Sequence, residues 1–397
     1  MKKLLLASAA SALVAGAATA GGHADVKIGV FLGFTGPIES LVAEMGPAAE
    51  MAISEVNGAG TFLGGKSVEA IRGDTTCVDA AAATATAERL ITSDGVSGIV
   101  GGDCSGVTGA ALQNVAVPNG MVMISPSATS PGLSHANNED NGLFFRTAPS
   151  DARQGVVMTE VLMEQGINEV AVTYTNNDYG KGLADSFQAA FEAAGGTVTI
   201  SAAHEDGKAD YSAEVGALAS AGGERLVVAG YVDQGGAGVV RGAIETGAFD
   251  TFHFPDGMIG ESLTDQFGSD IDGSTGQVPG TDSPGASQFA AMADGFDGTS
   301  PFAAESYDAA ALILLAMQAA GSEDPAAYKE KVMMVANAPG EQIFPGDLAK
   351  ALEILAAGGD VDYVGASAVE LIGPGESAGN YRQIEVKGGK IETVQYR

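Results

Sequence analysis

Gly98-Ile99-Val100-Gly101-Gly102-Asp103-Cys104-Ser105-Gly106 and, further on, Met121-Val122-Met123-Ile124-Ser125-Pro126-Ser127-Ala128-Thr129 share one pattern: a short apolar run, then a loop of small hydroxyl residues. Each run reads as a buried strand, and the first loop opens a helical stretch. Small hydroxyl residues at the carboxyl ends of parallel strands present backbone N–H groups and side-chain oxygens together, beside a helix N-terminus. That arrangement suits a carboxylate. The same residue types also serve as ordinary helix caps. Two such loops on neighbouring strands give the ligand reading more weight than either loop alone.

The surrounding chain alternates in the same way. Val26–Leu32 reads as a first strand, followed by a helix to Asn57; 67–73 reads as a strand and 80–92 as an Ala-rich helix. Beyond Phe144-Phe145-Arg146 come a helix from Asp151, a strand at 170–174 and a helix at 179–194. The rhythm continues through 197–202, 211–219, 226–229 and Phe252–Phe254. Strands spaced by helices of this length mean βαβ units, hence parallel sheets covered on both faces. So many strands fit two sheets better than one. The expectation is an α/β protein of two doubly wound parallel-sheet lobes. Late in the chain, Ala303–Ala320 and 324–336 read as amphipathic helices whose Met and Leu stripes face a core. The segments 381–386 and 391–395 read as a terminal hairpin.

Residues 1–20 set the compartment. Lys2 and Lys3 precede Leu4-Leu5-Leu6 and an Ala-rich apolar run that ends at Ala18-Thr19-Ala20, the pattern of a secretory signal. No Cys lies near that site, which argues against a lipid anchor. The mature chain is expected to be exported, to the periplasm, and not inserted in the membrane. In an oxidising compartment an even cysteine count favours a bridge between Cys77 and Cys104, against two buried free thiols. Loss of the signal leaves 17 basic residues (19 less Lys2 and Lys3) against 50 acidic ones. Nucleic acid and anionic membrane surfaces are poor partners for such a charge. A 45% hydrophobic content nevertheless argues for a packed globule.

Ligands of doubly wound sheets bind outside the carboxyl ends of the strands, here in the cleft between the lobes. Three segments of the second lobe follow its strands: Asn176-Asn177-Asp178-Tyr179-Gly180, Gly230-Tyr231 and Pro255-Asp256-Gly257. They offer two aromatic walls and one negative charge. Half-buried packing is the competing reading for each Tyr, and a turn residue for Asp256. Catalysis finds little support. The four histidines, His23, His135, His204 and His253, stand in no triad pattern, and no Gly-x-Ser-x-Gly follows a predicted strand. Metal-ligand spacings and a dinucleotide fingerprint in strand–turn–helix context are absent, so neither a metal nor a cofactor is expected.

Taken in order, Ile28-Gly29-Val30 through Thr35-Gly36-Pro37, Cys104-Ser105-Gly106, Ile124 to Thr129, Asp178-Tyr179-Gly180-Lys181-Gly182 and Pro255-Asp256-Gly257 resemble the periplasmic leucine/isoleucine/valine-binding proteins of ABC transporters, over essentially the whole mature chain. The resemblance implies the type I periplasmic-binding fold, two lobes joined by three crossovers. It places 25–146 and 276–375 in lobe 1, and 147–275 and 376–397 in lobe 2. It implies an amino-acid ligand, branched-chain first, delivered by a monomer to permease subunits. By the same resemblance Ser105 and Thr129 hold the ligand's carboxylate through hydroxyl and backbone N–H groups. Ser127, next to Ala128, offers a carbonyl to the ammonium, which pairs with Asp256, and Gly257 allows close backbone approach. Tyr179, Tyr231 and Phe302 line the side-chain pocket. Two positions depart from the family pattern. Asp256 stands where a longer Glu is usual, and Leu41 where an aromatic ring is frequent. Other neutral amino acids, aromatic acids, amides and short peptides therefore remain open as ligands. A periplasmic sensor of the same fold is the alternative to an importer component.

Overall fold

A computed structural model of the chain describes residues 25–138, 140 and 142–397; the expected leader 1–20 and His23 lie outside them. Strands β1 (Val26–Leu32), β2 (Val68–Asp74), β3 (Gly98–Gly101), β4 (Met123–Ser125) and β5 (Phe144–Pro149) pair in parallel, with helices α1 (Glu39–Ala59) and α2 (Ser105–Ala111) among the connections. After α3 (Asp151–Glu164) a second parallel set follows: β6 (Glu169–Thr175), helix α4 (Asp178–Ala193), β7 (Thr197–His204), β8 (Arg225–Ala229), β9 (Phe252–Phe254) and β10 (Thr275–Pro279). Helix α5 (Ala303–Ala320) returns to the first lobe. Strands β11 (Glu341–Ile343) and β12 (Val361–Tyr363) form a small ladder of their own.

The last strands complete both sheets. β13 (Leu371–Ile372) and β14 (Glu376–Ser377) extend the first sheet to the order β13-β14-β5-β4-β3-β1-β2. The hairpin β15 (Tyr381–Lys387) and β16 (Lys390–Tyr396) extends the second to β16-β15-β10-β9-β8-β6-β7, antiparallel at that edge. The central strands β1, β3, β4 and β8 are buried on both faces almost throughout, which is why they read as mainly apolar runs and not as alternating ones. Among the described residues no helix is long and apolar enough to cross a membrane.

The chain passes between the sheets three times, after Pro149, after Pro279 and after Ser377. Strand pairing, which the resemblance did not give, sets these points: β10 belongs wholly to the second sheet and β14 to the first. We therefore propose lobes of 25–149 with 280–377, and 150–279 with 378–397.

Helix α5 departs from its expected amphipathic pattern. From Ala303 to Gln318 it is buried almost all round, because it is wedged among α1, the helix Pro325–Val335 and strands β3 to β5. Two acids are buried with it. Asp308 accepts hydrogen bonds from Tyr363 Oη (2.7 Å), the Ala366 and Ser367 N–H groups (2.8 Å each) and Ser367 Oγ (2.6 Å). Burial still raises its pKa to about 6, against these donors. Glu305 has no such set of donors. Burial pushes it up to about 8, with the Asp308 charge adding and Arg382 opposing.

Because the folded-state pKa of Glu305 lies above its ordinary value, the stabilisation from its neutral form is complete below about 4.5. It is lost as the pH rises through about 8. Denaturant unfolding should therefore show stability declining across neutral pH, at up to about 1.4 kcal/mol per pH unit from this group. Glu305→Gln should flatten that decline; an unchanged slope would remove Glu305 as its source.

Candidate functional site

The two hydroxyl loops come together at the carboxyl edge of the first sheet. Ser105 opens α2, which continues through a π-turn at Leu112–Ala116. Its Oγ accepts from Ser130 N (3.1 Å), tying one loop to the other. Ser125 is spent on shape: its Oγ donates to Gly102 O (2.5 Å) and accepts from Ala128 N (2.9 Å). Ser127 Oγ donates to Asp103 O (3.2 Å). Asp103 is itself buried and draws in two more loops, accepting from Gly33 N (2.6 Å) and Thr75 Oγ1 (2.8 Å). The disulfide between Cys77 and Cys104 fixes the same corner.

Behind the second loop stands Arg146, the one charged residue of the buried strand β5 and only 1% exposed. Its Nη1 donates to Ala128 O (3.0 Å) and Ser130 O (2.9 Å). Its Nη2 donates to Ser134 Oγ and Glu376 Oε2, both at 2.6 Å. The Ala128 carbonyl is thereby engaged by protein. The Thr129 hydroxyl is buried without a hydrogen-bond partner; it lies beside Asp151 but short of good hydrogen-bond geometry.

The second lobe supplies the aromatic wall and the charge. Asn177 caps α4 and donates through Nδ2 to Tyr231 Oη (3.2 Å), while Tyr179 in the first turn stacks on Tyr231 with ring centroids 5.2 Å apart. Tyr179 Oη donates to Asp256 Oδ1 (2.6 Å), which also accepts from Gly257 N (2.9 Å). A Cβ at Gly257 would lie 2.7 Å from both Gly230 O and Tyr179 Oη, so only glycine permits this approach. A second buried carboxylate, Asp151, opens α3. With its nitrogen turned toward them, the Gln154 amide joins the pair, at 3.1 Å from Asp151 Oδ1 and 3.3 Å from Asp256 Oδ1. Burial raises the pKa of Asp256. Burial and then the Asp256 charge raise Asp151 further, with Arg146 pulling the other way.

Between the lobes these groups enclose a small cavity of about 20 Å³. Eight of the residues singled out from the sequence line it: Leu41, Ser105, Ser127, Tyr179, Tyr231, Asp256, Gly257 and Phe302, together with Cys104. Ala128 and Thr129 do not reach its wall. Ile38 and Asp103 do, and neither was expected. Ile38 and Leu41 project from the start of α1. Phe302, at φ 63° in the left-handed region, precedes the first residue of α5. No Lys, Arg or His lines the cavity. A larger groove of about 280 Å³ beside the crossovers is lined by Glu305 and Arg382 but by none of the expected site residues. Asp151, Gln154 and Arg146 were missed. Arg146 did leave a signal, as a lone charge within the buried run Phe144-Phe145-Arg146.

Comparison with known proteins agrees with this architecture. The family model described as periplasmic binding protein matches residues 25–340. The Leu/Ile/Val-binding protein homolog 1 of Brucella abortus is 31% identical over 342 residues, covering 83% of this chain and 89% of that protein. Among solved structures, the branched-chain amino acid transporter substrate-binding protein LivJ of Streptococcus pneumoniae, in complex with isoleucine, superposes with a TM-score of 0.75 at 22% identity, covering 94% of this chain and 98% of that one. A solute-binding protein of Rhodopseudomonas palustris, in complex with p-hydroxybenzoic acid, gives 0.70 at 18% identity, covering 94% and 96%. These two likenesses establish the fold. With the family model and the Brucella relative, they show that the chain belongs to the periplasmic binding protein family.

Proposed function

We propose that this chain is the solute-binding component of an ABC importer, exported to the periplasm, which closes its lobes on an α-amino acid, first of all Leu, Ile or Val, and delivers it to permease subunits. The observation that carries the reading is the buried carboxylate Asp256 on the cavity wall, with buried Asp151 behind it, where no described Lys, Arg or His lines the cavity. An ammonium there is held by charge-assisted bonds and relieves the desolvation of both acids. The ligand's carboxylate then rests on a neutral donor, Ser105, with the Ser127 carbonyl turned to the ammonium. Ile38, Leu41 and Phe302 give an apolar wall for an aliphatic side chain, with the Tyr179–Tyr231 stack opposite. A ligand touching both lobes favours the closed form over the open one.

The p-hydroxybenzoic acid of the Rhodopseudomonas neighbour points to a different ligand class. A benzoate brings a second anion and no ammonium, leaving Asp256 and Asp151 uncompensated. Among the described side chains, the groups that catalysis would use also stand elsewhere. His204 and His253 are buried on Thr173 and on Thr275 with Gln277, away from the cavity. A Gly-x-Ser-x-Gly stretch at 375–379 puts Ser377 inside strand β14, between β13 and β5, not at a strand-to-helix turn.

Thermal-shift screening of the mature chain tests the proposal. Leucine, isoleucine or valine at a hundredfold its dissociation constant should add about 2.7 kcal/mol of stability, while benzoate and p-hydroxybenzoate add none. Stabilisation by benzoates alone would overturn the ligand. Asp256→Ala should weaken amino-acid binding by about 2–5 kcal/mol in calorimetry; unchanged affinity would take Asp256 out of the site. Because the pKa values of Asp256 and Asp151 are raised in the ligand-free site and an ammonium favours their ionised forms, binding should release protons at mildly acidic pH. Affinity should then fall as the pH drops. Calorimetry in buffers of different ionisation enthalpy measures the release, and zero exchange at every pH would contradict the pairing.

A further inference from the structure

Helix α1 starts without a side-chain cap of its own, since Ile38 occupies its N-cap position. Three N–H groups of its first turn are satisfied locally: Glu39 N by Gly36 O (3.4 Å), and Leu41 N and Val42 N by Ile38 O (3.0 and 3.1 Å). The fourth, Ser40 N, donates across the cleft to Asp233 Oδ2 of the other lobe, at 2.9 Å. Asp233 N also donates to Pro37 O at 3.3 Å, and Ser262 Oγ holds the other carboxylate oxygen at 2.7 Å from within the second lobe. The capped turn carries Ile38 and Leu41, and the capping loop carries Tyr231, all three on the cavity wall. The contact thus lies between segments that meet only when the lobes are together.

Resting on the closure reading above, we propose that Asp233 is a closure-positioning residue: a carboxylate of lobe 2 that supplies the missing N-cap of a lobe 1 helix only in the closed form. It does not touch the ligand. On opening, Ser40 N and Asp233 both return to water, so the carboxylate's pairing with the helix N-terminus weights the closed state alone. Part of the measured ligand affinity is set by this pair, because binding is linked to closure.

The test uses the full mature chain carrying Asp233→Ala, Asp233→Asn or Ser262→Ala. Leucine affinity is measured by calorimetry, and the closed fraction by electron–electron distance measurement with one spin label on each lobe. Asp233→Ala should weaken leucine binding by about threefold to thirtyfold, the range of a lost N-cap. Asp233→Asn should stay within about threefold of the unaltered protein, since Asn caps as well as Asp. Ser262→Ala, which keeps the bond across the cleft, should bind normally. Unchanged affinity in Asp233→Ala, an equal loss in Ser262→Ala, or no rescue by Asn would each overturn the proposal. If the unaltered protein binds none of the amino acids, the ligand reading fails separately. The latch is then judged on the ligand-free closed fraction, which should fall in Asp233→Ala; an unchanged distribution refutes it.

Discussion

One buried guanidinium holds the loop after β4 in place. Arg146 donates to two carbonyls of the loop after β4, to Ser134 and to Glu376 on β14, so a single cation joins the loop, the strand beneath it and the segment just before the third crossover. A charge so deep is tolerated only when its donors are satisfied, and four acceptors surround this one. The same cation partly opposes the rise that burial and the Asp256 charge impose on the neighbouring Asp151. The electrostatics of the cleft therefore begin in the first lobe, although the paired acids lie in the second.

That order explains why the site is arranged in layers. Ser125, Asp103 and Arg146 spend their hydrogen bonds on protein and give the loops one shape. Groups left over face the cavity or lie beside it: the Thr129 hydroxyl, the second oxygen of Asp151 and the apolar faces of Ile38, Leu41 and Phe302. Such a division suits recognition, in which affinity comes from groups held ready and unpaired before the ligand arrives.

The two lobes, the alternation of strands and helices along the chain and the loops bearing Ser105 and Ser127 were legible because they rest on local signals: apolar runs, hydroxyl loops and helix starts. Eight of the ten expected site residues reached the cavity for the same reason, since each sits immediately after a strand or at a helix start. What was hidden depends on tertiary pairing. Nothing near Asp151 or Gln154 announces that α3 will carry them to Asp256, and nothing near Ala128 shows that its carbonyl faces Arg146. Helix α5 misled the eye because its alanines give little polar contrast at any periodicity, so a helix buried on every side reads like one buried on one. The proposed lobe limits rest on the same kind of information: short strands such as β14 are defined by their neighbours in the sheet, not by composition.

Phe302 and Leu41 face the same cavity from very different footings. Leu41 belongs to the first turn of α1, in ordinary helical backbone, and is buried against the core beneath the cleft. Phe302 is held in a left-handed backbone conformation at the threshold of the most deeply buried helix of the molecule. A new side chain at that position must suit the ligand and also the turn that starts α5. Reshaping the cavity wall at 302 therefore carries a backbone requirement that reshaping it at 41 does not.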